Sequence, residues 1–349
     1  MNKEADRSRT AGASPEALHK RMMQLLSGLW VTHAVGTFAR LGLADAIADG
    51  TEAAAAIAAV RGLNADRVYR LLRALSTVGI VTEPTPGSFA LTPLGNMLGA
   101  RAPHSMRTAA MLLTEYNADI WRRLDEAVQG DGTAFEALEE RPFFVWLAEH
   151  PGEALRFHRM MVEVHGPETP AIVAAYDFGR FSHVVDVGGG NGSLLSAILA
   201  AFPGLRATLF DLPEGIAAAK RAEGGHLPGA TLVAGDVFSA VPAGGDLYLL
   251  RHVLHDFDDD PCMRILANVR RAMRPNARVL VLEAPVPTDD KPAPGRWLDL
   301  HVMLLSGGRE RTIGEYAALL ARSGLRLART IETAHPAVAV VEAVIDQNN

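Results

Sequence analysis

One stretch, residues 183–195, constrains the fold more than any other part of the chain. Near its start, Val184, Val185 and Val187 are apolar and β-branched, as a buried parallel strand requires. Three alternate glycines between positions 188 and 192 then lead into an apolar segment of helical length, 194–202. A strand, a glycine turn and a helix bring backbone close to a ligand and direct a helix N-terminus at it. The stretch therefore predicts a ligand-binding α/β domain.

Acidic residues near the ends of three predicted strands narrow the choice of ligand, because glycine spacing alone is common to several nucleotide-binding folds. Asp186 precedes the first glycine of the loop, and Asp211 ends the next apolar strand 23 positions after Gly188. A carboxylate there can accept hydrogen bonds from a ribose. The third strand ends in Gly235-Asp236-Val237-Phe238. Dehydrogenases rarely need this third acid, whereas S-adenosylmethionine sites commonly have one near the adenine.

The C-terminal half of the chain alternates apolar strands with helical segments. The predicted strands are 183–187, 206–210, 230–234, 246–251, 278–283, 326–332 and 337–344. The pattern predicts a Rossmann-like, doubly wound α/β sheet of seven strands whose ligands bind at the carboxyl ends of the strands. Only a short turn at His335-Pro336 separates the last two strands. The antiparallel hairpin that this predicts is typical of S-adenosylmethionine-dependent methyltransferases and not of nicotinamide-binding domains.

Length and composition exclude several classes of protein. The 349 residues have room for about two domains, and a net charge of −6 gives no reason to expect binding to nucleic acid or to an anionic membrane. The single cysteine, Cys262, excludes an intrachain disulfide and a cysteine-rich metal site. Residues 1–14 lack the apolar core of a signal peptide, and no apolar run approaches membrane-spanning length. The sequence predicts a cytoplasmic protein.

Four segments are predicted along the chain. They are a disordered tail over 1–14, a mostly α winged-helix-like dimerisation domain over 15–104, a helical linker and substrate-pocket layer over 105–178, and an S-adenosylmethionine-binding catalytic domain over 179–349. The continuous apolar helices of 15–48 have more surface to bury than one small domain covers, which predicts a homodimer. Winged helices often bind DNA, but between residues 27 and 100 five basic residues are balanced by five acidic ones. Such a neutral module has little with which to release phosphate counterions, which favours dimerisation over DNA binding.

Chemically active side chains gather at the predicted carboxyl ends of the fourth and fifth strands. His255 lies just past the fourth strand, where an imidazole can take a proton from a substrate hydroxyl. Glu283 ends the fifth strand and can hydrogen-bond one ring nitrogen of His255, so that the other nitrogen faces substrate. Glu310, in a later loop, is a second acid that can reach the site. Asp256 and the aspartates at 258–260 most simply cap a following helix. No metal site is predicted, because the separated carboxylate-rich set that a divalent ion needs is missing.

Six motifs together resemble S-adenosylmethionine-dependent O-methyltransferases of the caffeic-acid/hydroxyindole type, and most closely the bacterial branch that tailors polyketides and other antibiotics. The matching motifs are Val185-Asp186-Val187-Gly188-Gly189-Gly190-Asn191-Gly192, Phe210-Asp211-Leu212-Pro213, Gly235-Asp236-Val237-Phe238, His255-Asp256-Phe257-Asp258-Asp259, Leu282-Glu283-Ala284 and Gly308-Arg309-Glu310-Arg311-Thr312. The resemblance covers nearly the whole chain. It implies methylation of a hydroxyl, expected to be phenolic, on an aromatic or polyketide-type small molecule in secondary metabolism, with S-adenosyl-L-homocysteine as the second product.

The resemblance also implies which residues hold the cofactor, S-adenosyl-L-methionine. Gly188 and its loop would pack against the methionine part, Asp211 would hold the ribose hydroxyls, and Asp236 with the two residues after it would hold the adenine. Arg251 stands where relatives have a basic residue near the cofactor. The expected cofactor-binding residues are Asp186, Gly188, Gly190, Asp211, Leu212, Gly235, Asp236, Val237, Phe238 and Arg251.

For the acceptor, Met161 falls where members of the family place a methionine against the aromatic ring, with Phe157 one helical turn before it. Trp297 and Met303 are further expected acceptor contacts, on the basis of their helix position alone. The resemblance assigns His255 as general base, with Glu283 and Glu310 flanking and orienting it.

Alternative functions remain open at the level of sequence. One keeps the fold and the cofactor but methylates nitrogen or carbon, and another is a non-methylating, hydroxylase-like member of the same family. A third is a winged-helix regulator that binds DNA and senses a ligand, against which the neutral charge of 27–100 counts. A nicotinamide oxidoreductase is disfavoured by Asp236 and by the terminal hairpin.

Overall fold

The computed structural model describes residues 14–221, 227 and 229–347. The predicted tail over 1–14 lies outside the described residues except for Ser14. The chain divides into two compact units, one up to Tyr116 and the other from Asn117 onward. Within the described ranges, no helix is both long enough and apolar enough to cross a membrane.

The first unit is mostly helical, with one small hairpin. Its helices are α1 (Pro15–Leu26), α2 (Gly28–Arg40), α3 (Leu43–Ala48), α4 (Ala54–Arg61), α5 (Ala65–Ser76), α6 (Pro93–Asn96) and α7 (Arg107–Leu112). Its strands β1 (Val81–Thr85) and β2 (Ser88–Leu91) pair antiparallel. Asn64 is the N-cap of α5, as its sequence position predicts: its side-chain oxygen accepts the backbone N–H of Arg67 at 3.1 Å. Helices α4 and α5 followed by a hairpin give the predicted winged-helix order.

The two N-terminal helices of this unit carry an exposed apolar surface. No residue of α1 is buried within the chain, and Trp30 of α2 is 69% exposed. The buried core of the unit lies further along the chain, around Phe38, Leu72 and Phe89. Contiguous exposed apolar side chains of this kind are typical of a protein interaction site.

The second unit contains a seven-stranded sheet and the helices around it. The helices are α8 (Tyr116–Trp121), which starts at the last residue of the first unit, α9 (Leu124–Gln129), α10 (Ala134–Glu139), α11 (Phe143–Glu149), α12 (Pro151–His165), α13 (Glu168–Ala175), α14 (Ser193–Ala201), α15 (Pro213–Arg221), α16 (Asp259–Ala272), α17 (Pro294–Leu305) and α18 (Ile313–Arg322). The strands are β3 (His183–Val187), β4 (Arg206–Asp211), β5 (Ala230–Ala234), β6 (Leu247–Arg251), β7 (Arg278–Glu283), β8 (Leu325–Glu332) and β9 (Ala339–Ile345).

The sheet has the strand order β5-β4-β3-β6-β7-β9-β8. Strands β3 to β7 pair parallel, whereas β9 pairs antiparallel with both β7 and β8. The predicted Rossmann-like sheet with a terminal antiparallel hairpin is confirmed, and the predicted strand ends agree to within two residues. Apolar side chains cover both faces: one layer centres on Val185 and Val281, the other on Leu195 and Leu249.

The strand order reverses between β3 and β6, and this reversal fixes where a ligand can bind. From β3 the chain proceeds outward to β4 and β5, then returns to place β6 on the opposite side of β3. The carboxyl ends of β3 and β6 therefore border a crevice that no crossover helix fills, which is where α/β sheets bind ligands. The glycine loop after β3 and the segment 252–258 after β6 both open into it.

Candidate active site

A cavity of about 320 Å³ lies at this crevice, within the second unit. Its wall includes the glycine loop, the ends of β4, β5 and β6, and the inner faces of α11 and α12. A volume of this size is within the range of small-molecule sites. Predicted cofactor residues that line it are Asp186, Gly188, Gly190, Asp211, Leu212, Gly235, Asp236, Val237, Phe238 and Arg251.

The glycine loop is shaped by left-handed backbone and close packing. Gly188 has φ +70°, and a Cβ atom built there would lie 2.7 Å from Cγ2 of Val253. Gly190 has φ +57°, and its backbone N–H donates to Oδ2 of Asp211 at 2.7 Å. The loop is thus held between the end of β4 and the segment after β6, with its backbone forming the cavity wall.

The three predicted acids have different surroundings. Both carboxylate oxygens of Asp186 are buried without a hydrogen-bond partner in the described chain, and burial raises the pKa of this carboxyl to about 7. Asp211 accepts the backbone N–H groups of Gly190 and Leu212, and burial raises its pKa to about 6. Asp236 is exposed and accepts the backbone N–H of Phe238 at 2.9 Å. A buried, unpartnered carboxylate on a cavity wall suits a ligand that carries a cation or hydrogen-bond donors.

His255 lies on the short 3-10 turn after β6 and is only 6% exposed. Its Nδ1 is 2.7 Å from Oε1 of Glu310, and its side chain lines the cavity. Nε2 makes no hydrogen bond with any described residue; the nearest carboxylate oxygen is that of Asp256, at 3.7 Å. This arrangement leaves Nε2 able to accept a proton once Nδ1–H donates to Glu310.

The contacts that Glu283 makes differ from the one expected from the sequence. Its Oε1 accepts the backbone N–H groups of Val253 and Leu254 at 3.2 and 3.1 Å, while Oε2 is 3.7 Å from Nδ1 of His255. The hydrogen bond that sequence reasoning gave to Glu283 is therefore made by Glu310, because the loop 307–312 folds back against the His255 backbone. Burial raises the pKa of both Glu283 and Glu310 above the usual range of a carboxyl group. Glu283 instead fixes the backbone of the segment that carries His255.

Arg311 holds the same segment from the other side and was not singled out by sequence reasoning. It is 1% exposed and donates to the carbonyl oxygens of Leu254 and Phe257, both at 3.0 Å, and to the carboxylate of Asp259. A guanidinium can satisfy several acceptors in a fixed fork geometry. Arg311 therefore sets the path of the chain on both sides of His255.

A second polar cluster borders the cavity, with His165, Arg251 and His252 in its wall, and involves residues from α12, α13 and the end of β6. Glu168 is 2.9 Å from Nδ1 of His165, 2.9 Å from Nη2 of Arg251 and 2.8 Å from Nε2 of His252. Burial raises the pKa of Glu168, but the hydrogen bonds from both histidines outweigh it and hold that pKa well below its usual range. Burial lowers the pKa of His165 to about 4. Glu168 is thus an ionised acceptor at neutral pH.

Two triads in this region have the spacing of metal ligands, which sequence reasoning did not anticipate. His165, Glu168 and His252 form one, and His252, His255 and Glu283 form the other, each with ligand atoms within 4.8 Å of one another. In the first triad the guanidinium of Arg251 already pairs with Glu168. That fixed positive charge opposes a bound cation.

The predicted acceptor residues fall into two groups. Phe157 and Met161 of α12 line the cavity, together with the aromatic rings of Phe144 and Phe257. Trp297 and Met303 are absent from the cavity wall as the described residues form it, and Trp297 is 70% exposed. The structure therefore does not support an acceptor contact for these two. Trp297 lies in the first turns of α17, which face solvent.

Comparison with known proteins identifies the family. A family model described as the O-methyltransferase domain matches residues 121–326, and one described as the O-methyltransferase dimerisation domain matches residues 23–101. The chain belongs to the O-methyltransferase family. It is an S-adenosylmethionine-dependent methyltransferase, and its N-terminal part is a dimerisation domain of that family.

Individual relatives agree over nearly the full length. Phenazine O-methyltransferase PhzM of Lysobacter antibioticus is 40% identical, over 95% of this chain and 97% of its own. The solved structure of LaPhzM has a TM-score of 0.91 at 39% identity, covering 94% of this chain and 99% of that one. NcsB1 of neocarzinostatin biosynthesis, solved with S-adenosyl-L-homocysteine and 1,4-dihydroxy-2-naphthoic acid, has a TM-score of 0.77 at 32% identity, covering 90% and 95%. Phenazine-1-carboxylate N-methyltransferase of Pseudomonas aeruginosa is 32% identical, over 90% and 94%.

Several residues of the site carried too little sequence signal to be found. Glu168, His165 and His252 belong to three different elements, and only the fold brings them together. The sequence places Asp256 in a helix cap, whereas Asp258 is the N-cap of α16 and Asp256 lines the cavity, where burial raises its pKa to about 7. The one sequence feature that could have indicated a place for Asp256 in the site is its position directly after His255.

Proposed function

We propose that this family member methylates a hydroxyl group on a planar aromatic small molecule, with His255 as general base. The observation that carries the proposal is the pairing of Nδ1 of His255 with Glu310 at 2.7 Å while Nε2 is left without a hydrogen bond to the described chain at the cavity. A base for hydroxyl deprotonation needs an acceptor nitrogen with a fixed tautomer.

The residues around the glycine loop fit S-adenosylmethionine, and we assign them to its binding. The unpartnered carboxylate of Asp186 suits a ligand with positive charge, such as the ammonium or the sulfonium of this cofactor. Asp211 has acceptor capacity left for ribose hydroxyls beyond its two backbone bonds. Phe238 lines the same end of the cavity and offers an apolar surface for the adenine. Bound there, the cofactor supplies an activated methyl group.

The other wall of the cavity fits an aromatic acceptor. Phe144, Phe157, Met161 and Phe257 contribute aromatic and thioether side chains, which suit flat ring systems. The named relatives act on phenazine and naphthoate skeletons. We therefore place the acceptor between α11, α12 and the segment after β6, with its hydroxyl toward His255, and we assign helices between residues 117 and 178 to the acceptor layer.

In the proposed reaction the chain aligns the two substrates and removes one proton. Nε2 of His255 takes the hydroxyl proton as the acceptor oxygen bonds to the methyl carbon and the sulfur–methyl bond breaks. Nδ1–H remains bonded to Glu310, whose charge stabilises the imidazolium that forms. Glu283 and Arg311 keep the backbone of His255 in place. Alignment and the base together supply the catalysis.

The first unit is proposed to form a homodimer through α1 and α2. Its match to a dimerisation domain and the exposed apolar side chains of these helices both support this assignment. Methylation of nitrogen is the second candidate, because a relative with 32% identity is named as an N-methyltransferase. The buried His255–Glu310 pair favours oxygen, since an amine acceptor has less need of a base.

The test begins with calorimetric titration of S-adenosyl-L-homocysteine into the wild-type protein and into the Asp211→Ala variant. Binding by the wild type that is lost in the folded variant is the expected result. Methyl transfer to a panel of phenols, naphthols and hydroxyphenazines, with matched anilines, then identifies the acceptor. His255→Ala should retain binding and lose roughly 10²–10⁴-fold in kcat. Transfer to anilines alone, or unchanged kcat in His255→Ala, would refute the proposal.

A further inference from the structure

Three polar atoms beside His255 are buried without a hydrogen-bond partner in the described part of the chain. They are Nδ1 of His252, Oε2 of Glu283 and Oε2 of Glu310. The first two face each other at 3.4 Å. Because nearly all buried polar atoms in native proteins are hydrogen-bonded, this pair of atoms requires a physical account.

The backbone of His252 is also unusual. Its φ of +50° lies in the left-handed region, which is uncommon for a residue other than glycine. In this conformation its imidazole ring lies between two carboxylates, with Nε2 at 2.8 Å from Glu168 and Nδ1 at 3.4 Å from Glu283. Strained residues that the surrounding structure maintains are concentrated at functional sites.

The protonation of the His252 ring can be worked out from its neighbours. Glu168 accepts from Arg251 and from His165 and is ionised, so Nε2 of His252 must carry a proton in order to donate to it. If Nδ1 of His252 and Oε2 of Glu283 were both unprotonated, their lone pairs would repel each other. One proton between these two atoms converts the repulsion into an attraction.

Glu283 can hold such a proton without losing its other contacts. Its Oε1 accepts two backbone N–H groups, which the carbonyl oxygen of a neutral carboxylic acid does equally well. Two carboxylates beside one buried imidazole do not readily both ionise. Burial raises the pKa of Glu310 as it does that of Glu283. Only Glu310 is close enough to accept Nδ1–H of His255, at 2.7 Å against 3.7 Å for Glu283, and this hydrogen bond favours the ionised form of Glu310, so the proton belongs with Glu283.

We propose that His252 is a positioning residue of the base: it shares one proton with Glu283 and so leaves Glu310 as the single ionised carboxylate that holds His255. This inference rests on the proposed function for the role of His255. The charged and titratable groups around the His252 ring are His165, Glu168, Arg251, His255 and Glu283. The first two come from α12 and α13, Arg251 and His255 from the end of β6 and the turn after it, and Glu283 from β7.

The first test compares Glu283→Gln with Glu310→Gln by kcat and KM. In Glu283→Gln the amide oxygen would accept the same backbone bonds and the amide nitrogen would donate to His252, as the protonated acid does. We therefore expect the loss in kcat for Glu310→Gln, which removes the charge opposite the imidazolium, to exceed the loss for Glu283→Gln by at least about tenfold. Equal losses in the two variants would overturn the inference.

The second test uses His252→Asn, because asparagine tolerates left-handed backbone and places an amide near the position of Nδ1. The amide nitrogen can donate to Oε2 of Glu283 and so favours the ionised form of Glu283. The surroundings of His255 then become more negative, which favours its protonated form. The acidic limb of the kcat–pH profile should therefore move to higher pH by about one unit. His252→Gln, which reaches toward Glu168 instead, should shift it in the same direction. A uniform loss of kcat with an unmoved limb indicates a merely structural role and refutes the inference.

A third measurement does not depend on turnover and separates this inference from the proposed function. Histidine-selective ¹⁵N NMR reports the tautomers of His252 and His255, assigned with His252→Asn and His255→Ala. We expect Nδ1–H on His255 and Nε2–H on His252 in the wild type. Nε2–H on His255 would overturn the inference whether or not an acceptor is found. The expected tautomers without methyl transfer to any acceptor would leave His252 as inferred and count against the proposed function alone.

Discussion

Substitution of Gly188 by alanine tests the packing that shapes the cofactor loop. Alanine at φ +70° costs about 1–2 kcal/mol in backbone strain. Its Cβ atom would also lie 2.7 Å from Cγ2 of Val253, and relieving such a contact in a packed interior costs about 1–3 kcal/mol. We therefore expect the free energy of unfolding of the second unit to fall by about 2–5 kcal/mol. Binding of S-adenosyl-L-homocysteine should weaken at the same time, because the loop moves.

Gly244→Ala is the matched control in the same unit. Gly244 has φ +86°, but a Cβ atom there would meet nothing within 4 Å, so only the backbone cost of about 1–2 kcal/mol is expected. The double variant Gly188→Ala/Val253→Ala removes the atom in conflict and should recover about 1–3 kcal/mol as a coupling energy. Urea unfolding followed by tryptophan fluorescence and calorimetric titration supply the two measurements. Equal destabilisation by Gly188→Ala and Gly244→Ala, or no recovery in the double variant, would refute the reasoning.

Two further predictions concern Arg311 and Asp186. Arg311→Met leaves the carbonyl oxygens of Leu254 and Phe257 without their donor, so kcat should fall more than tenfold, which corresponds to about 1.4 kcal/mol or more. The affinity for S-adenosyl-L-homocysteine, measured by calorimetry, should change little. An unchanged kcat would contradict the role of Arg311 in holding the segment that carries His255. The raised pKa of Asp186, about 7, means that the folded state binds more protons than the unfolded state, so this group's contribution to stability declines as pH rises from about 4 to about 7. Asp186→Asn should therefore be more stable than wild type at pH 8, by thermal unfolding, and bind S-adenosylmethionine more weakly; equal stability at pH 5 and 8 relative to wild type would contradict this.

Most of the catalytic sheet could be predicted from the sequence because its physical causes are local. Runs such as 278–283 combine β-branched and aliphatic residues on both faces, as only a doubly covered parallel strand allows. The glycine loop can be recognised in the sequence because left-handed backbone and close packing against neighbouring atoms restrict those positions to glycine. His255 and Glu310 were found because strand ends and loops of an α/β sheet meet at one edge.

The remaining parts of the site depend on distances that the sequence does not contain. Which acid contacts Nδ1 of His255 is decided by how far the loop 307–312 folds back, since Glu310 lies at 2.7 Å and Glu283 at 3.7 Å. Glu168 lies 84 positions before His252, and nothing local in α13 marks it as a charged group at the site. Trp297 remains a prediction from helix position alone, because in the single chain its side chain is 70% exposed and is not part of the cavity wall.

The position of β9 in the sheet has a consequence for the order in which the sheet can be completed. β9 is the last strand along the chain, yet it lies inside the sheet, between β7 and β8, and pairs with every residue of β7 from Arg278 to Glu283. Until residues 339–345 have been synthesised, β7 is an unprotected edge, and the backbone that carries Glu283 lacks its outer neighbour. A chain that stops before residue 339 thus lacks the strand that holds the backbone of Glu283, although the glycine loop, His255 and Glu310 are present. We therefore expect removal of residues 339–345 to abolish methyl transfer through loss of the support behind Glu283.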